Sequence, residues 1–166
     1  MVSIAKFTVT GSDGINHFTT DTHADVIDAD AGTTYKGNAG KDAFSGLNSA
    51  IMHGSATSYT TIDGGSGEDT ISTTDANHTL VDTDFTGISN VEKLTMDVDG
   101  STNATALTGS ALFSDAFATG ASMDIDTGNA TVTLDLSQAT VAVTLDLNSE
   151  TTTNDIVVKT GSGADS

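Results

Sequence analysis

The chain has 166 residues and carries 23 acidic against 5 basic side chains, which gives a formal net charge of −18. This surplus argues against binding to nucleic acid or to an anionic membrane surface, because both attract basic proteins. All five basic residues are lysines, so the chain lacks the guanidinium groups that clamp phosphates and carboxylates, and a phosphate-handling enzyme would be poorly equipped.

The composition predicts a fold that needs help to stay compact. Large apolar side chains barely exceed the roughly 20 % below which highly charged chains tend to be disordered. The chain has no Cys, so disulfides cannot staple it. Two carboxylates about 4 Å apart repel by roughly 4 kcal/mol at an effective dielectric constant near 20. Bound cations are the simplest way to offset such repulsion.

Residues 1–75 consist of short segments separated by Gly, Asn and Asp, and several follow the nonapeptide G-G-x-G-x-D-x-U-x, where U is a large apolar residue. The first copy, Gly11–Thr19, has Asn16 at the Asp position. Nine residues later, Asp25 precedes Val26 and Ile27 as the pattern requires. Asp25 is therefore a candidate metal ligand.

Two later copies follow the pattern more closely. Gly37–Ser45 departs only at its second position, where Asn38 is the non-Gly residue that best tolerates a left-handed backbone. Gly64–Ser72 matches every specified position. In such a turn the glycines bring backbone carbonyls close to a cation, the Asp supplies a carboxylate oxygen, and the apolar residue begins a strand. The candidate metal-binding residues of these two copies are Gly37, Asn38, Gly40, Asp42, Gly64, Gly65, Gly67 and Asp69.

The second half of the chain predicts longer strands and one helix. Apolar and polar residues alternate in Val132–Leu136 and in Val143–Leu147, which is the period of half-buried strands. Val91–Val98 and Asp155–Val158 also predict strands. Ser110–Thr119 places its apolar residues on one helical face and is the one credible helix. The absence of Pro suits a stacked sheet in which every backbone N–H donates.

A last partial copy closes the chain at residues 160–166. Gly161, Gly163 and Asp165 occupy the motif positions, although the first Gly is missing and the copy stops before its apolar residue. These three residues are further metal-binding candidates. The interrupted copy predicts that the natural polypeptide continues.

The nonapeptides resemble those of the repeats-in-toxin (RTX) family of calcium-binding proteins. Gly87–Thr95 is similar to a G-I-x-N-V-E-x-L-T segment frequent in the bacterial surface-layer and surface-adhesin members. The resemblance implies one elongated domain over residues 1–166, all-β and built as a parallel β-roll or β-helix, with RTX-like turns over 1–75 and Thr-rich strands over 76–166. It also implies Ca²⁺ between successive turns and secretion by a type I system, which would explain why Met1–Thr10 shows no N-terminal signal peptide.

Each candidate site has a plainer interpretation. Asp25, Asp42, Asp69 and Asp165 are either calcium ligands or solvated Gly-Asp turns of an acidic protein. Asp82–Gly87 imitates the start of an EF-hand loop, but Glu92 comes one residue early and no flanking helices are predicted, so we interpret the segment as a turn. The acidic pairs Asp97/Asp99 and Asp124/Asp126 are either polar turns or calcium sites outside the nonapeptides.

The sequence predicts a structural protein and not an enzyme. It has no H-E-x-x-H pair, no G-x-S-x-G elbow and no thiol nucleophile. We expect an extracellular, cell-surface, self-assembling subunit of a surface layer or a matrix filament, stabilised by Ca²⁺. Its expected partners are further copies of itself and cell-surface polysaccharide, without nucleic acid or membrane insertion. The alternatives are an adhesin or binding module of a larger RTX protein, and the calcium-binding tail of a secreted enzyme.

Overall fold

The computed structural model describes residues 8–10, 17–19, 26–28, 33–46, 60–73, 79–97, 105–126, 131–146 and 156–166. In these ranges the chain forms a parallel β-solenoid, in which corresponding strands of successive turns lie side by side. Every strand pair described is parallel. The predicted mostly-β solenoid with one short helix is confirmed.

Three stacks of strands and one short pair make up the solenoid. The long sheet contains, in spatial order, β1 (Thr8–Thr10), β3 (Val26–Asp28), β6 (Ala43–Gly46), β9 (Thr70–Thr73), β12 (Lys93–Asp97), β14 (Ala121–Asp126) and β16 (Val143–Asp146). The first side sheet contains β11 (Ile88–Ser89), β7 (Thr61–Asp63), β4 (Thr34–Lys36) and β2 (His17–Thr19). The second side sheet contains β10 (Thr79–Leu80), β13 (Thr105–Thr108), β15 (Val132–Asp135) and β17 (Ile156–Lys159), and β5 (Ala39–Gly40) pairs with β8 (Ser66–Gly67).

The core consists of apolar residues stacked in register from one turn to the next. In the long sheet Phe44, Ile71, Leu94 and Met123 form one such row, and all four are fully buried. Leu145 continues the row and is partly buried. Burying a side chain of this size contributes roughly 1.5–3 kcal/mol. The alternation of apolar and polar residues along each strand thus directly determines which residues enter the core.

The strands predicted in the second half are present in the part of the chain that the structure describes. Val91–Val98 contains β12, Val132–Leu136 contains β15, Val143–Leu147 contains β16, and Asp155–Val158 overlaps β17. The two near-identical segments lie in different sheets, because β15 belongs to the second side sheet and β16 to the long sheet.

The predicted helix is present but shorter than Ser110–Thr119. Helix α1 spans Ala111–Ala116, and a single turn of 3₁₀ helix spans Asp82–Phe85. Phe85 packs edge-on against Phe113, with ring centroids 5.2 Å apart, and both contact Phe117. Among the described helices, none is long and apolar enough to cross a bilayer.

Asp82 explains why such a short helix forms. Its Oδ1 accepts hydrogen bonds from the backbone N–H groups of Ser110 (2.6 Å) and Phe113 (3.0 Å), and its Oδ2 accepts one from Leu112 (3.3 Å). These N–H groups lie at the start of the helix, where no preceding helical turn supplies a carbonyl acceptor. The segment Asp82–Gly87, interpreted from sequence as a turn, is therefore a 3₁₀ turn that carries the cap of α1.

Candidate cation site at the glycine corners

The two closest nonapeptide copies are brought together by one turn of the solenoid. Ala43 is in register with Thr70, so Asp42 and Asp69, which directly precede these residues, stack on adjacent turns. The carboxylates are buried, with exposures of 1 % for Asp42 and 0 % for Asp69. Thr70 is in turn in register with Lys93, which places Glu92 next in the stack. We call Asp42, Asp69 and Glu92 the corner ladder.

Backbone N–H groups connect the members of the corner ladder. The N–H of Asp42 donates to Oδ1 of Asp69 (2.8 Å), and the N–H of Asp69 donates to Oε2 of Glu92 (2.9 Å). The other oxygen of Glu92, Oε1, accepts a hydrogen bond from the hydroxyl of Thr119 (3.0 Å). Both oxygens of Glu92 are thus engaged by the protein itself.

Asp69 is engaged through only one of its two oxygens. Its Oδ2 is buried and has no hydrogen-bond partner among the described residues. Burial raises the pKa of Asp69 most strongly, the N–H of Asp42 opposes the rise, and the charges of Glu92 and Asp63 add to it. A buried carboxylate oxygen without a donor is costly, so the structure presents an acceptor that a cation would satisfy.

Gly64 allows that oxygen and a backbone carbonyl to approach the main chain closely. A Cβ atom built on Gly64 would contact the carbonyl oxygen of Asn90 and would lie 2.8 Å from Oδ2 of Asp69. One turn earlier, a Cβ on Gly37 would contact the carbonyl oxygen of Gly64 and Oδ2 of Asp42. Carbonyl and carboxylate oxygens therefore converge where only glycine fits, and hard oxygen donors of this kind suit Ca²⁺.

The remaining motif positions form the stacked backbone beside the ladder. Asn38 has a φ of 64°, the left-handed conformation predicted for it, and Gly65 on the next turn has a φ of 101°. The N–H of Ser66 donates to the carbonyl of Asn38 (2.8 Å). Gly40 and Gly67, at φ of 146° and 149°, lie opposite each other in the β5–β8 pair.

The C-terminal copy lies apart from the corner ladder. Oδ1 of Asp165 accepts a hydrogen bond from the N–H of Val143 (3.0 Å), so the neighbour of Asp165 in the stack is apolar and not acidic. Cβ atoms on Gly161 and Gly163 would contact the carbonyls of Ala139 and Val141. This copy has the glycine-cornered backbone, and its neighbour in the described part of the stack is Val143 in place of a second carboxylate. Asp25 lies outside the described residues.

Asp124, another acidic candidate, pairs with a lysine and not with the ladder. Oδ2 of Asp124 lies 3.2 Å from Nζ of Lys93, which gives this carboxylate a lysine partner. Asp99, and the side chains of Asp97 and Asp126, lie outside the description. Asp63, which sequence reasoning did not select, accepts a hydrogen bond from the amide of Asn90 (2.7 Å) and lies near enough to influence Asp69.

Within the described ranges, no group of three or more acidic, His or Cys side chains is arranged to hold a metal. An ion beside Asp69 would thus depend on backbone carbonyls for much of its coordination. Comparison with protein-family models, curated proteins and solved structures yields no match to the chain.

Proposed function

We propose that this chain is a calcium-dependent structural protein of the RTX type, secreted to the cell surface and assembling with further copies of itself. The observation that carries the proposal is the buried Oδ2 of Asp69, which has no hydrogen-bond donor among the described residues and points to a glycine corner lined by carbonyl oxygen. The nonapeptide match at Gly64–Ser72 independently supports the same residues.

Calcium has the chemistry that this corner lacks. It accepts six to eight oxygen ligands at about 2.3–2.6 Å and tolerates irregular geometry. Oδ2 of Asp69 and the carbonyl of Asn90 both lie close to Gly64, and the Gly37 corner with Asp42 lies one turn away. A divalent ion there would also offset the repulsion between buried carboxylates of the ladder.

A calcium requirement would couple folding to location. At a free concentration about 100-fold above the dissociation constant, one site contributes roughly 2.7 kcal/mol. Stability of an ordinary domain is about 5–15 kcal/mol, so one or a few sites decide whether a sparsely apolar chain stays folded. Such a protein remains loosely folded where calcium is scarce and becomes rigid after export.

Self-association is supported by the exposed apolar residues of β17. Ile156, Val157 and Val158 are 39–44 % exposed, and among the described strands β17 is the last of the second side sheet, paired with β15. Exposed apolar side chains on such a strand are a natural contact for another chain. In a surface-layer or filament subunit, that contact is made with a second copy.

The test is a calcium titration of wild type, Asp69→Asn and Asp115→Asn, followed by thermal unfolding and calorimetry. Asp115 is an exposed carboxylate on α1, so its variant makes the same charge change away from the corner. We expect calcium to raise the Tm of wild type and Asp115→Asn, and to have little effect on Asp69→Asn. Sedimentation of the same samples measures association, which a chelator should reverse.

Two outcomes would contradict the proposal. One is a wild-type protein whose circular dichroism, Tm and particle size are the same in millimolar calcium and in chelator. The other is an Asp69→Asn variant that binds and responds to calcium as wild type does.

A further inference from the structure

We infer that Glu92 is a positioning residue for the cation corner: it holds Asp69 in place and ends the ion-binding part of the stack, without itself binding the ion. This inference rests on the proposed function, because it concerns the same corner. It goes beyond that proposal by assigning a role to a residue outside the nonapeptide copies.

The position of Glu92 in the stack is that of the next ladder carboxylate. Lys93 is in register with Thr70 as Thr70 is with Ala43, so Glu92 follows Asp42 and Asp69 in order. Its Oε2 accepts a hydrogen bond from the N–H of Asp69, just as Oδ1 of Asp69 accepts one from the N–H of Asp42. Glu92 therefore continues the hydrogen-bond ladder.

Glu92 differs from Asp69 in what its second oxygen does. Oε1 of Glu92 accepts a hydrogen bond from Thr119, whereas Oδ2 of Asp69 has no donor in the described part of the chain. A carboxylate whose oxygens both accept hydrogen bonds gains less from a cation than one with a buried, unsatisfied oxygen. The arrangement thus favours a cation at Asp69, whereas the carboxylate of Glu92 is satisfied without one.

The same hydrogen bonds fix the corner mechanically. The main chain at Asp69 is held by Glu92, and Glu92 is held by Thr119, which follows α1. A further backbone bond joins the N–H of Val91 to the carbonyl of Ala116 at the end of α1 (3.2 Å). Because residues that orient a metal ligand typically change affinity 10–100-fold when removed, Glu92 should matter for binding without being a ligand.

The experiment compares calcium affinity in wild type, Glu92→Gln, Glu92→Ala and Asp63→Asn by calorimetry. Glu92→Gln keeps an oxygen acceptor for Asp69 and removes the charge. Asp63→Asn is its matched control: it removes another charge that acts on Asp69, while keeping an acceptor for Asn90. We expect the first and last variants to weaken binding by similar factors, and Glu92→Ala to weaken it at least about tenfold further.

Amide hydrogen exchange of Asp69 in metal-free protein supplies a second measurement. Exchange should accelerate in Glu92→Ala and remain near the wild-type rate in Glu92→Gln. This measurement does not involve calcium, so it detects loss of the Glu92 contact even if the proposed calcium site is wrong.

Three results would overturn the inference. If Glu92→Gln abolishes binding as Asp69→Asn does, Glu92 is a ligand. If Glu92→Ala lowers Tm equally with and without calcium and leaves affinity unchanged, its role is purely structural. If the Asp69 amide exchanges at the same rate in Glu92→Ala as in wild type, Glu92 does not hold the corner. Wild-type protein that binds no calcium would instead refute the proposed function, and this inference with it.

Discussion

Two regions of the solenoid fill the same corner position with different chemistry. In three successive turns the position holds Asp42, Asp69 and Glu92, whereas the next two turns place Ala121 and Val143 in register there. Ala121 and Val143 are each 3 % exposed. One region closes its corner with carboxylates and backbone donors, and the other closes it by burying apolar side chains.

The difference shows which part of the fold is self-sufficient. The apolar region is braced by the Phe85, Phe113 and Phe117 cluster and by the capped helix α1. Its burial contributes stability without any ion. The acidic region keeps a buried carboxylate oxygen at Asp69 that has no donor among the described residues, so its stability should follow the cation concentration. Calcium dependence is therefore expected to be local to the acidic corner.

The largest expected loss of stability comes from truncating a large side chain in the core of the apolar region. Phe113 is fully buried against two other phenylalanines, so Phe113→Ala should cost about 3–5 kcal/mol. The atoms nearest the Cβ positions of the corner glycines Gly37 and Gly64 do not belong to this cluster, so the loss should be the same in calcium and in chelator. Denaturant unfolding under both conditions measures it. A loss confined to one condition would show that the two regions are not energetically distinct.

A smaller but more selective effect is expected at Gly64. The Cβ of Gly64→Ala would contact the Asn90 carbonyl and Oδ2 of Asp69, and overpacking of this kind typically costs about 1–3 kcal/mol. It would also displace these two oxygens, which are the proposed cation ligands, so the calcium-induced rise in Tm should disappear.

Gly87→Ala is the control for the Gly64 variant. Gly87 has a φ of 80°, so alanine is strained there, but the nearest atoms to its Cβ lie 3.5 Å away. We expect this variant to lose stability while keeping its response to calcium. A Gly64→Ala protein that still responds to calcium would place the ion elsewhere.

The sequence selected both Asp42 and Asp69 because the nonapeptide specifies the turn and the strand after it, whereas their stacking on adjacent turns is a finding of the structure. Their separation of 27 residues corresponds to one turn of the solenoid. Glu92 was not selected, since it follows Asp69 by 23 residues and belongs to no nonapeptide. Glu92 stacks on Asp69 because of the strand register. That register depends on the number of residues in each turn, which varies from one turn to the next. For the same reason, the sequence did not reveal that Asp165 lies beside Val143 in the stack.

The helix was predictable and its cause was not. The apolar face of Ser110–Thr119 indicated α1, but nothing local explains how so short a helix begins, because Ser110 makes no side-chain capping bond. The cap is Asp82, 28 residues earlier in the chain. A contact of that range depends on the stacking of turns and has no local signature in the sequence.

The smallest loss of stability is expected for Asp82→Ala. Its dependence on pH also distinguishes the apolar region from the acidic one. Loss of a cap typically costs about 0.5–2 kcal/mol. Burial raises the pKa of Asp82, but hydrogen bonds from Phe113, Ser110 and Leu112 together outweigh it and lower the pKa below its ordinary value of 3.8. Its contribution is therefore complete above that value and is lost as the pH falls through the lower, folded pKa.

Thermal unfolding of wild type and Asp82→Ala across the acidic range checks this sign. The two Tm curves should differ near neutrality and converge as the pH approaches the folded pKa of Asp82, both with and without calcium. Asp115→Ala, which removes an exposed carboxylate from the same helix, is the control for the loss of one charge. If the difference between wild type and Asp82→Ala instead depended on calcium, the capped helix and the acidic corner would have to be one cooperative unit, and the contrast between the two regions would fail.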